Sequence, residues 1–149
     1  MIAGVQVVPL QGIPDERGTV FHMLKCTDPH FQQFGEIYFS SVYPGVVKAW
    51  HQHREMTLNY ACLFGRIKLV LYDEREDSAS KGQLMEIFLG LDNYALIVIP
   101  PQVWNGFKGM SQPFAMVANC CTHPHDTSRT RRLDPFQNHI PYEWGVRHG

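Results

Sequence analysis

Two histidines at alternate positions, His51 and His53, close the segment Gly45-Val46-Val47-Lys48-Ala49-Trp50-His51-Gln52-His53. Successive side chains of an extended strand point to opposite faces, so both rings are expected on one face. Imidazole exchanges its proton near neutral pH and also ligates metals, which leaves acid–base work or coordination as the available chemistry. Two imidazoles make a thin coordination sphere, because protein metal sites usually gather three or more side-chain ligands. The expectation is therefore no metal and no cofactor. Rings that merely line a cavity through hydrogen bonds are the bland alternative.

The elements that must position this pair read as strands. Apolar stretches rich in β-branched and aromatic residues recur at Ile2 to Val8, Val20 to Leu24, Tyr38 to Tyr43, Val46 to His51, Leu58 to Phe64, Ile67 to Tyr72, Met85 to Leu89, Leu96 to Ile99 and Phe114 to Cys120. Ile67, Leu69 and Leu71 share one face while Val70 sits between polar neighbours on the other, a partial alternation expected where both faces are covered. Gly12-Ile13-Pro14-Asp15, Pro44-Gly45, Phe64-Gly65 and Pro100-Pro101 supply turn formers between them. Only Pro29 to Phe34 and the tail after Asp126 suggest short helical turns. The pattern predicts an all-β fold, a jelly-roll β-barrel with room for one ligand.

The 149 residues are 44% hydrophobic, 12% aromatic and 18% charged, which suits a single domain over residues 1–149. Thirteen basic and fourteen acidic side chains leave a net charge of -1, so no nucleic-acid partner is expected. The apolar run Ala95 to Ile99 falls far short of the roughly 20 residues that span a bilayer. Nor does the amino end resemble a secretion signal, so no membrane partner and a cytoplasmic location are expected. Cys26, Cys62, Cys120 and Cys121 lack paired spacing and read as buried thiols.

The spacing of Gly45, His51, His53, Leu58 and Gly65 resembles the first motif of the cupin superfamily. Metal-binding cupins carry glutamate where Leu58 stands and histidine where Asn105 ends the second motif. Within the cupins the chain resembles a divergent member of the dTDP-4-dehydrorhamnose 3,5-epimerase family. Four stretches carry the resemblance: Asp15-Glu16-Arg17-Gly18 with Phe21; Ser40 to His51; Ile99-Pro100 with Asn105-Gly106-Phe107; and Cys121-Thr122 with Leu133-Asp134-Pro135 and Trp144. The resemblance implies a cupin-type jelly roll and epimerisation of a nucleotide-linked 4-keto-6-deoxy sugar at C3, C5 or both, in deoxysugar or polysaccharide biosynthesis. It implies His51 as the base, Asp134 as the aspartate that orients it, and Arg17 and Lys48 as contacts to the nucleotide diphosphate. Phe21, His22 and Ser40 fall on substrate-binding positions. A homodimer is implied as well, with Arg17 serving the neighbour's pocket.

Departures fall on functional positions. The family's enolate-stabilising lysine aligns with Leu58, and its proton-donating tyrosine is replaced by Cys121-Thr122-His123-Pro124-His125. His53, Asn105 and His125 are the expected substitutes, with His125 or His123 donating the proton. His22, Glu36 and Tyr38 alter the base-recognition region, and Arg129, Arg131 and Arg132 read as a solvated basic run or a phosphate contact. His30, His139 and His148 read as surface residues. A nucleotide-sugar 3,4-ketoisomerase-like cupin and a non-catalytic small-ligand-binding cupin remain as alternatives.

Overall fold

The computed structural model describes the whole chain, Met1–Gly149. In chain order its strands are β1 (Gln6–Pro9), β2 (Gly12–Asp15), β3 (Gly18–Phe21), β4 (Glu36–Val42), β5 (Val47–His53), β6 (Leu58–Phe64), β7 (Arg66–Asp73), β8 (Leu84–Gly90), β9 (Ala95–Ile99), β10 (Val103–Gly109), β11 (Ala115–Cys121) and β12 (Thr130–Arg132). They form two antiparallel sheets, ordered β1-β9-β6-β11-β4 and β12-β5-β10-β7-β8, and a separate hairpin, β2-β3. The all-β jelly-roll expectation holds in its main lines, but the two sheets do not close into one hydrogen-bonded barrel. They face each other, and side chains close the interior.

The interior cluster of 20 buried residues draws Ile67, Leu69 and Leu71 from β7 against Leu58, Tyr60 and Cys62 from β6 and Ile97 and Ile99 from β9. A fully buried Leu or Ile contributes roughly 1.5–3 kcal/mol, so this layer dominates the cohesion of the two sheets. The opposite face of β7 is covered too: Val70 packs with Trp50, Trp104, Ile140 and Trp144 beneath the carboxy-terminal segment. Double burial explains why β7 alternates only in part. Lys68, on the same face as Val70, sets its ammonium 5.3 Å from the Tyr142 ring centre and 5.8 Å from that of Trp144.

Several local expectations need correction. Gly12 to Asp15 is strand β2, and the turn falls at Glu16-Arg17 instead. Pro29 to Phe34 forms no helix; Phe31 N–H donates to the Asp28 carbonyl in a single turn (3.0 Å). After Asp126 a 3₁₀ turn does form, Thr127–Arg129, with the Asp126 side chain accepting from Ser128 N. Cys26 is exposed, whereas Cys62 and Cys121 are buried and all four thiols are free. His30 is not a surface residue either, since its side chain is only 8% exposed beside Asp28. No helix is long and apolar enough to cross a membrane.

Strand β10 was not anticipated, because two glycines interrupt its apolar pattern. Gly106 is needed there for packing: a Cβ at that position would collide with Ala49 on β5. The close approach seats β10 against the strand that carries the histidines.

Candidate active site

Strict alternation along β5 would send Lys48 and His51 to opposite faces. The register breaks it: Asn105 pairs with His51 and Phe107 with Lys48, so three steps of β5 span two of β10. This β-bulge brings Lys48 onto the same cavity wall as His51 and His53. Trp50 points the other way, fully buried, its ring centre 5.2 Å from that of Trp144 and 6.1 Å from that of Tyr142. Edge strand β12 completes the wall, with Arg132 directly across from His51 and Thr130 across from His53.

The facing wall comes from the other sheet. Inward positions of β4 supply Glu36, Tyr38 and Ser40, β6 supplies Tyr60 and β11 supplies Val117, with Phe107 of β10 also lining the space. His125, on the loop after β11, stands exposed at the rim, its ring centre 6.4 Å from that of His53. The cavity volume is about 350 Å³, which is the size of a small-ligand site.

Electrostatics hold both strand histidines neutral at pH 7. Burial lowers the His51 pKa below its ordinary value, and the nearby Arg132 and His125 charges lower it further. His53 is pushed down to about 4 by burial first, then by His51, His125 and Arg132. Its tautomer follows from its neighbour. The Thr130 hydroxyl donates to the Asp126 carbonyl (2.9 Å), so it accepts from His53 Nδ1 (3.2 Å) and leaves Nε2 without a proton. Lys48 Nζ donates to Ser40 Oγ (3.0 Å) and the Ser41 carbonyl (2.6 Å), keeping one N–H for a ligand.

Of the residues expected at the site, His51, His53, Lys48, Ser40 and His125 line this one cavity. Asp134 makes no hydrogen bond to His51. Its Oδ1 accepts from the main-chain N–H groups of Phe136 (2.8 Å) and Gln137 (2.9 Å), the local turn that an aspartate before proline readily caps. Asn105 does not face the cavity either. Its Nδ2 donates to the His51 carbonyl (3.0 Å) and its Oδ1 accepts from the Tyr60 hydroxyl (3.4 Å), so it fixes the strand beneath the site. Arg17, Phe21 and His22 lie on or beside the β2-β3 hairpin, away from this cavity. Arg17 pairs with Asp15 (2.6 Å), Phe21 packs edge-on against Tyr94, and the His22 carbonyl accepts from the Tyr94 hydroxyl (2.7 Å).

Three cavity residues were not singled out for these positions. Arg131 is committed to Gln52 (2.9 Å), and Arg129 is paired with Glu55. Arg132 alone of that run faces the cavity. Tyr38, expected only as an altered base-recognition position, and Tyr60, which the sequence did not mark, reach the cavity because β4 and β6 lie in the sheet opposite β5. Alternation within β4 was the one available signal, since it groups Tyr38 with Ser40.

Comparison with known proteins identifies the family. The family model described as dTDP-4-dehydrorhamnose 3,5-epimerase matches residues 1–148. A probable low-salt glycan biosynthesis epimerase of Haloferax volcanii is 35% identical over 144 residues, spanning 95% of this chain and 89% of that protein. A spore coat polysaccharide biosynthesis protein of Bacillus subtilis is 35% identical over 143 residues, spanning 96% and 91%. Among solved structures, a dTDP sugar isomerase from Desulfovibrio desulfuricans G20 superposes with a TM-score of 0.93 at 46% identity, covering 96% of this chain and 92% of that one. With a histidine, Lys48 and Arg132 lining one cavity of small-ligand size, and a family match running almost end to end, the chain belongs to the dTDP-4-dehydrorhamnose 3,5-epimerase family.

Proposed function

We propose that this protein epimerises a nucleotide-linked 4-keto-6-deoxy sugar at C3, C5 or both, for deoxysugar or polysaccharide biosynthesis. The observation that carries the reading is His51, kept neutral in a cavity that also presents Lys48 and Arg132. Hydrogens on the carbons flanking the C4 carbonyl are acidic, and a neutral imidazole is a competent base for them. His51 takes one such proton, the C–H electrons move into an enolate, and a proton added from the other face inverts the centre. Lys48 and Arg132 suit the diphosphate oxygens as charged donors. His53, neutral with a bare Nε2, accepts hydrogen bonds from sugar hydroxyls.

Incubation with dTDP-, CDP- and GDP-4-keto-6-deoxyhexoses in D2O tests the reading. Deuterium at C3 or C5 of an inverted product is the expected result for at least one of them. A 3-keto product would instead establish the ketoisomerase, and binding without label or product would establish a non-catalytic cupin.

The position of Asp134 leads to an outcome opposite to the one its sequence context implies. Asp134→Asn keeps an acceptor oxygen for the Phe136 and Gln137 N–H groups, so deuterium uptake should stay within about threefold of the parent protein. A loss of about 100-fold or more would show that the carboxylate acts in the general-base step after all.

We propose further that the protein is a homodimer. The β2-β3 hairpin pairs with neither large sheet, and Ile37 and Phe39 project exposed from edge strand β4. An apolar outer face on an unpaired edge suits a second copy of the same surface. Light scattering should give twice the 17.1 kDa chain mass, and a monomer at micromolar concentration would overturn the assignment.

A further inference from the structure

Inversion needs two groups on opposite sides of one carbon, and no tyrosine stands at the family's tyrosine position here. The hydrogen bonds of the wall facing His51 show which group can take that place. Asn119 is fully buried on β11, paired with Tyr38 of β4 on one side and Tyr60 of β6 on the other. Its Oδ1 accepts from the Asn59 main-chain N–H (3.1 Å), which leaves Nδ2 to donate to the Tyr38 hydroxyl oxygen (3.0 Å). The Tyr38 oxygen is therefore an acceptor in that contact, and its own proton is free for the cavity it lines.

Tyr60 is set the other way. Asn105 Nδ2 is used on the His51 carbonyl, so Asn105 Oδ1 accepts the Tyr60 proton across a long 3.4 Å contact. Tyr60 is buried within the core beside Tyr38; burial raises the Tyr38 pKa, and the one Tyr60 proton opposes this by leaving its long Asn105 contact for the Tyr38 oxygen once that oxygen is charged. A proton donor needs such support, because a buried phenolate without hydrogen bonds is costly. His125, the alternative donor, stands exposed at the rim and receives no such orienting bond; its main-chain N–H donates to Glu36 Oε1 (3.3 Å).

We propose that Tyr38 is the catalytic acid of this protein, delivering its hydroxyl proton to the carbon from the face opposite His51, with Asn119 and Tyr60 positioned to hold the phenolate that results. The assignment rests on the epimerase reading above. The step balances within the cavity. His51 gains the proton from carbon and the C–H pair becomes the enolate double bond. That pair then forms the new C–H bond with the Tyr38 proton, and the carbonyl is restored. Imidazolium and phenolate remain, and cavity water carries the proton back from His51 to Tyr38.

The test is the D2O reaction of Tyr38→Phe, run beside His125→Ala. Tyr38→Phe should still incorporate deuterium, because His51 can remove a proton and return a deuteron on the same face. Inverted product should fall by about 100-fold or more. Tyr60→Phe, which leaves Tyr38 intact, should slow inversion about tenfold relative to exchange through loss of one hydrogen bond to a charged oxygen; it also serves if Tyr38→Phe does not fold. Inversion at the parent rate in both tyrosine variants, or exchange without inversion in His125→Ala alone, would overturn the assignment. Loss of exchange together with inversion in folded Tyr38→Phe would overturn it too, by placing Tyr38 before the second proton transfer. Absence of exchange in the parent protein on every nucleotide sugar would instead count against the epimerase reading itself.

Discussion

His51→Ala eliminates deuterium uptake and inverted product together, with kcat/KM reduced by about 1,000-fold or more, while nucleotide affinity stays within about threefold. The two readouts separate because Lys48 and Arg132, the cations proposed to contact the diphosphate, stay in place when the ring is removed. The variant should fold as the parent does. His51 is only half-buried, and its main-chain pairing to Asn105 and Arg132 is unaffected by a shorter side chain. Isothermal titration with a nucleoside diphosphate measures the affinity, and mass spectrometry of the sugar in D2O measures the exchange. Retained exchange would show that another group removes the proton, with His53, whose Nε2 is also bare, the next to test.

Arg132→Gln raises KM about tenfold or more and moves the acid limb of the kcat/KM profile to higher pH. Both effects come from one guanidinium. As a phosphate contact it supplies a charge-assisted hydrogen bond that glutamine does not. As the residue across from His51 it disfavours the imidazolium, adding to the burial that already holds the His51 pKa below its ordinary 6.5. The active form of a general base is the unprotonated one, so activity is lost as pH falls through that lowered pKa. Without Arg132 the pKa rises toward 6.5, and the variant loses more activity at pH 6 than at pH 8. A uniform loss across the profile would limit Arg132 to substrate binding.

The strands were legible wherever apolar residues run without interruption, as in Leu58 to Phe64 and Ile67 to Tyr72. Strand β10 was not, because Gly106 is chosen for contact with Ala49 and contact partners leave no periodic trace. β12 is three residues long, and only its pairing to β5 defines it. The same division runs through the site. His51, His53 and Lys48 could be found because they lie within six residues of one strand. Tyr38, Tyr60 and Arg132 could not be assigned their places, since they reach the cavity from β4, β6 and β12, and nothing local states which strands will face β5. Asp134 was misleading for a related reason: a motif gives a residue's position along the chain but not the group its carboxylate will bind.

The bulge in β5 makes the site sensitive to the length of the chain as well as to its composition. Deleting Ala49 would restore plain two-residue alternation and would still leave every cavity-lining side chain present in the sequence. The imidazole and the ammonium would then fall two positions apart with no extra residue to absorb, and the strand would lose the slack that lets Trp50 seat itself under Trp144. Among related chains, a three-residue separation between the basic residue and the first histidine is therefore a better marker of this cavity than either residue alone. An alignment that gaps this segment should be read as a change of site.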